Sequence, residues 1–255
     1  MPRTRSLGAC AVCALLALGS PAVAWGQNGA EFELAFAAGF PVGELEAGIG
    51  QTAWGASFYG ARQLRGSAVS LGGRLAFSTY GSERSEELAG HGPGTPTGVT
   101  YRYDLLTAHL VVRVQPRASR LTPFLEVQAG IHHFFTQAYD GGATHFPAVV
   151  GDAVVLLQDD GSSTLRSSVA PSIGVGGGLK LKLFRFGGSR AVGRAPLTLL
   201  LDLQGRYLRG GTAEYLAPGG LSYEDDRLVL SRRRSSTDLL FVSLGLAVRG
   251  AVAAE

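Results

Sequence analysis

The sequence predicts an all-β fold: a closed, antiparallel, up-and-down transmembrane barrel of about eight strands, following a cleaved signal peptide. Three observations predict it. Beyond residue 24 the apolar residues recur with period two, the period of a strand, and no helical period stands out. Hydrophobic residues make up 45% of the chain and charged residues only 17%. That is below the roughly 25% charge usual in water-soluble domains, yet the apolar residues never gather into one block long enough for a spanning helix. The connectors alternate between short and long, which suits strands that cross a layer and return.

The leader comes first. Arg3 and Arg5 form a positive start, Leu7 to Leu18 is an apolar run, and Gly19, Ser20 and Pro21 break it. Ala22-Val23-Ala24 then offers the small-x-small pattern of a cleavage site, so residues 1–24 read as a signal peptide and 25–255 as the barrel domain. The run is too short to span a bilayer as an anchor. Cys10 and Cys13 both lie in the leader, so the mature chain has no thiol, which excludes disulfides and thiolate metal sites. Removing Arg3 and Arg5 leaves 21 of the 23 basic residues against 20 acidic ones. Mature net charge is then close to neutral, and the balance implies no nucleic-acid partner.

Eight segments alternate. Phe32 to Phe40 carries apolar residues at even positions, and Thr52 to Arg62 carries Trp54 and Phe58 against Ser57 and Tyr59. Val69 to Phe77, Ala108 to Val114 and Leu125 to Ile131 follow, then Ile173 to Leu183, Leu197 to Leu203 and Leu240 to Val248. One face of these segments is Leu, Val, Ile and Phe. The other holds Gly, Ala and Ser with isolated charges. A bulky apolar face fits lipid, and a small, sparsely charged face fits the tight interior of a narrow tube. Between them, Gln63 to Ser67 and Gln115 to Arg120 are short and Arg185 to Ala195 is fairly short. Pro41 to Gln51 is moderate. Stretches 81–100, 138–165 and 210–235 are long and polar, and read as extracellular loops. Closure follows from hydrogen bonding, because backbone groups in hydrocarbon are satisfied only by a helix or an edgeless sheet. Aromatic residues gather near strand ends: Phe40, Trp54, Tyr80, Tyr101, Tyr103, Phe135 and Tyr207 toward the long loops, and Phe32, Phe124, Phe184 and Phe186 toward the short turns.

On the leader, the eight segments and the final strand Asp238 to Arg249, the chain resembles the small outer-membrane β-barrel superfamily of Gram-negative bacteria. That group includes OmpA-type transmembrane domains and OmpX/Ail-like proteins. The resemblance implies Sec export to the outer membrane, insertion by the barrel-assembly machinery, contact with outer-membrane lipid and lipopolysaccharide, and a monomer with no cofactor. Members commonly end on an aromatic residue, whereas here Gly250 and the tail 251–255 follow Arg249.

Candidate chemistry is sparse. Parity sends Glu33, Arg74, His109, Arg113, Glu126, Lys180, Lys182, Asp202, Arg206 and Arg249 inward. Mixed signs in a tube just wide enough for side chains predict a charge network rather than a cation-lined pore. His132-His133 is the best-looking catalytic pair, with His133 facing outward near the long-loop rim. No Ser lies two residues after either, and only a neighbouring strand could supply a nucleophile. No catalytic residue is expected. His91 and His145 have no partner at metal-ligand spacing, so no metal site is expected. Arg232, Arg233 and Arg234 are the candidate contact for lipopolysaccharide phosphates, since guanidinium forks pair well with phosphate. Their competing reading is a solvated run beside Glu224, Asp225 and Asp226. Gly174 to Gly178 sits within a strand and opens no helix, so it is no phosphate loop. The expected role is non-enzymatic: structural, or surface contact through the loops. A narrow porin and a lipid A-modifying enzyme stand as alternatives.

Overall fold

Period-two alternation carries straight into long strands. The computed structural model describes residues 29–85, 99–116, 119–140, 147–150, 153–156, 162–187, 196–224 and 227–250. The predicted leader, His91 and His145 lie outside them. Among the described residues are twelve strands and one short helix. Eight strands close the barrel: β1 (Ala30–Pro41), β2 (Ala53–Gln63), β3 (Val69–Ser85), β4 (Val99–Val114), β5 (Leu121–Asp140), β8 (Ser162–Phe186), β9 (Leu197–Gly210) and β12 (Leu239–Gly250). Each pairs antiparallel with its neighbours, and β1 pairs with β12 to shut the seam. Following the register from Glu33 through β2, β3, β4 and β5 arrives at Ser172 of β8; following it the other way through β12 and β9 arrives at Lys182, ten residues further on. That stagger is the strand tilt that closure demands.

The two faces segregate by alternation. Leu110 and Leu125 are 77% and 72% exposed on the outside, while Arg74 and Lys180 are 1% and 0% exposed within. Trp54, Phe77, Phe40 and Tyr207 stand outward toward one end, and Phe184 and Phe186 toward the other. Tyr80, Tyr101, Tyr103 and Phe124 are buried instead. They lie at the expected ends but face inward. For Tyr101, Tyr103 and Phe124, strand parity already requires this, because each has the opposite parity to the outward Leu110 or Leu125. Tyr80 shares the parity of the inward Arg74, Ala76 and Ser78 and is opposite to the outward Phe77.

The long connectors are more structured than expected. β3 runs on to Ser85, β5 to Asp140, and β8 starts at Ser162, so the described parts of stretches 81–100 and 138–165 are strand. Stretch 210–235 is a hairpin of β10 (Thr212–Glu224) and β11 (Arg227–Ser236), which joins β6 (Pro147–Val150) and β7 (Ala153–Leu156) in a second, four-stranded sheet. Residues 44–49 form α1 (Glu44–Ile49), which ends on Gly50 at φ 63° with its N–H bonded to the Glu46 carbonyl at 2.8 Å. A single turn carrying two buried apolar residues, Leu45 and Ile49, is too short to announce itself as a helical period.

Candidate functional site: a layered lumen

Three layers fill the tube. The layer nearest the chain termini is ionic. The Arg113 guanidinium donates to Glu126 at 2.8 and 3.0 Å and to Glu31 at 3.0 Å. It lies between the rings of Tyr59 and Phe124, 4.0 and 4.1 Å from their centroids. Arg74 pairs with Glu126 and donates to Gln204 at 2.9 Å, while Gln204 donates to Glu33. Lys180 pairs with Glu31 and, at 2.9 Å, with Asp202. Arg249 reaches Glu31 at 2.6 Å from the half-exposed mouth. Every carboxylate here serves a cation, which a buried charge requires if it is not to cost several kcal/mol, of order 3–5, on loss of its partner.

The far layer is apolar and aromatic. Tyr80, Leu105, Phe134, Phe241 and Leu239 meet Tyr215, Leu216 and Ala217 of β10 and Leu45 and Ile49 of α1 in one buried cluster. Phe134 stacks on Tyr215 at 5.4 Å, Tyr80 donates to the Leu216 carbonyl at 3.2 Å, and Arg233 donates to the Ala47 carbonyl of α1 at 3.0 Å. Although β10 springs from β9, it touches β3, β4, β5 and β8, so the hairpin lies across the mouth. α1 packs so closely on it that a Cβ at Gly48 would sit 2.1 Å from the Tyr215 hydroxyl.

Between them lies a polar layer. His109 bonds to Ser172 at 2.6 Å. Thr237 donates its hydroxyl proton to the Gly211 carbonyl, so His132 Nδ1, 3.3 Å from that hydroxyl, is the donor of the pair and carries a proton. Gly176 makes room here: a Cβ on it would meet Arg206 Cγ at 2.8 Å and the Gly205 carbonyl at 3.0 Å.

Of the residues assigned inward by parity, Glu33, Arg74, Arg113, Glu126, Lys180, Asp202 and Arg249 meet in the ionic layer. His109 and Arg206 lie in the polar layer and pair with no carboxylate. Lys182 is half-exposed at the mouth, where β8 slips register before Phe184, and enters no ion pair among the described residues. Sequence reasoning missed Glu31, which shares Glu33's parity, and Gln204, which joins Arg74 to Glu33.

On the outer surface, His133 Nε2 lies 2.6 Å from Ser167 Oγ, supplied by β8. Asp104, the carboxylate on the same patch, is taken by Thr79 and Arg102, each at 2.7 Å. Arg232, Arg233 and Arg234 are exposed on β11 rather than in a loop, and Arg234 stands opposite Glu214, which is paired with Arg166. Asp225 and Asp226 lie outside the described residues. No group of His, Cys, Asp or Glu that could hold a metal ion occurs among the described residues.

No family model matches the chain, and no curated protein matches it in sequence. Among solved structures it is similar to the neisserial surface protein A, with TM-score 0.41 and 10% identity over 87% of this chain and 95% of that one. It is also similar to Ail, the attachment invasion locus protein of Yersinia pestis, with TM-score 0.39 and 14% identity over 88% and 99% of the two chains. The third is a major outer membrane protein from Thermus thermophilus, with TM-score 0.38 and 14% identity over 86% and 98%. All three are small outer-membrane barrels, and this chain is a closed barrel of eight strands.

Proposed function

We propose that this chain is a non-enzymatic integral outer-membrane protein whose filled lumen passes no solute and whose capped end meets lipopolysaccharide. One observation carries the reading: the face that meets the surroundings is the greasy one. A continuous outer band of Leu, Val, Ile and Phe surrounds a charged interior, and an exposed apolar surface of that extent is paired in nature with lipid or another protein. The band on β1 runs from Phe32 to Phe40, close to the nine to eleven tilted residues that cross about 30 Å of hydrocarbon. The test is fractionation of cells making the full chain. The protein is expected in the outer-membrane pellet and to migrate faster on a gel before boiling than after. A folded monomer in buffer without detergent overturns the reading.

The layers argue against the porin alternative, since Arg113, Lys180, Tyr80 and Phe134 are all buried across the bore. Planar bilayers containing the protein are expected to show no steady single-channel steps; steady conductance restores the porin. Against an enzyme stands the bare pair of His133 and Ser167. Among the described residues no acid orients that imidazole, and the strand amides around it are spent in the sheet, leaving no donors for a developing oxyanion. Lipid A from cells with and without the protein is expected to have the same mass.

Arg232, Arg233 and Arg234 support the lipopolysaccharide contact through their exposure at the capped end and the phosphate-matching shape of guanidinium. Replacing all three with Glu is expected to weaken lipopolysaccharide binding about tenfold or more, roughly 1.4 kcal/mol, in a pull-down at physiological salt. Unchanged binding reduces the run to a solvated strand.

A further inference from the structure

We infer that the middle of the lumen is a binding site for a single small inorganic anion, held by Arg206. The argument begins with charge. Among the described residues, the lumen holds the buried cations Arg74, Arg113, Lys180 and Arg206, with Arg249 reaching in from the mouth, beside the carboxylates Glu31, Glu33, Glu126 and Asp202. Each of the other four cations has a carboxylate oxygen within 3.0 Å. Arg206 has none within 4 Å, although it is fully buried. Arg206 is thus the buried cation with no counter-ion of its own.

Hydrogen bonding points to the same place. Arg206 Nε and Nη2 find no protein acceptor. The ring of Phe241, 5.2 Å from the guanidinium carbon, covers one side without accepting those protons. Carrying the register and its stagger around the barrel sets Ser57, Gln128 and Ser243 at nearly the same height as Arg206. These come from β2, β5 and β12. All three are buried, and the Ser57 and Ser243 hydroxyls and both polar atoms of Gln128 are likewise without protein partners. A guanidinium, an amide NH2 and two rotatable hydroxyls form a set dominated by donors, which suits an anion. Burying a lone guanidinium is costly, and a counter-charge removes most of that cost.

The size and charge of the occupant follow from the same geometry. One guanidinium without a counter-ion calls for a monovalent ion. The paired Arg74 and Glu126 bound the site on one side and the aromatic layer with Phe134 and Tyr80 on the other, which confines the occupant to a small inorganic ion such as a halide. Exchange with solvent then depends on local opening rather than on a standing channel.

The probe is bromide. The full chain, folded in detergent, is heated in sodium bromide and in sodium gluconate at equal ionic strength. Its folded fraction is read from gel mobility. The midpoint is expected to rise in bromide, by about 3 °C at tenfold the half-saturating concentration. Arg206→Met, which removes the unpartnered charge at similar volume, is expected to lose that rise and to melt above the unsubstituted protein in gluconate. Crystals grown in bromide are expected to show one anomalous peak beside Arg206, and this measurement decides the matter if Arg206→Met does not fold. Equal midpoints in the two salts with no anomalous peak overturn the proposal and leave water as the occupant. A bromide response that survives in Arg206→Met overturns it by placing the ion elsewhere.

Discussion

Glu126→Leu is expected to lower the unfolding free energy of the vesicle-embedded protein by about 3–5 kcal/mol. Glu126 accepts hydrogen bonds from two guanidiniums at once, Arg74 and Arg113, and all three side chains are shut off from solvent. Leu fills much of the same space, so the loss is electrostatic rather than a cavity. The two arginines are left to share Glu31 and Glu33, which already serve Lys180 and Arg249. Glu126→Gln keeps acceptor geometry without the charge and is expected to cost less, about 1.5–3 kcal/mol, the worth of a hydrogen bond to a charged group. Urea titration in lipid vesicles, read by gel mobility, measures both. Adding Arg74→Leu to Glu126→Leu is expected to recover part of the loss, since neighbours in one network are not additive. A change under about 1 kcal/mol for Glu126→Leu would show that water reaches these groups and that the ionic layer is no seal.

Leu110→Arg carries the second large effect, about 2–4 kcal/mol of destabilisation for a lipid-facing cation near the bilayer midplane. Leu110 is the most exposed large apolar residue described. It stands on β4 between the aromatic zone of Phe77 and Tyr207 and that of Phe184 and Phe186. On a water-facing surface the same substitution stays within about 0.5 kcal/mol. The two environments therefore predict different results from one variant. Vesicle unfolding that is indifferent to Leu110→Arg would sink the bilayer assignment.

The fold was readable because alternation is local. Ile173, Val175, Leu179 and Leu181 sit two or four residues apart in one stretch of chain, and their shared parity needs no knowledge of any partner strand. The same rule sends Arg74, Arg113, Glu126 and Asp202 inward, and applied evenly it would have added Glu31, Tyr80, Tyr101, Tyr103 and Phe124. What alternation cannot provide is who meets whom. Ser167 and His133 are joined by the register of β5 against β8, and Gln204 meets Glu33 only because the barrel closes. The cap was hidden for a different reason. Tyr215, Leu216 and Ala217 are consecutive buried residues, followed by Pro218, Gly219 and Gly220, where the β10–β11 pairing slips register. Such a stretch mimics a loop in its composition, and its burial comes from lying across the mouth rather than from a sheet face.

The seam between β1 and β12 has a consequence for biogenesis. Its two strands lie at opposite ends of the barrel sequence, so the last partner of the first strand is also the last one translated. Until then Ala30–Pro41 offers a bare row of amides and carbonyls, the kind of edge that recruits foreign strands. The capping hairpin precedes β12 in the chain, so the cap does not depend on the last strand being present. A chain cut just after Ser236 would thus keep the cap but leave unpaired edges on β1 and β9, and is expected to aggregate or be degraded.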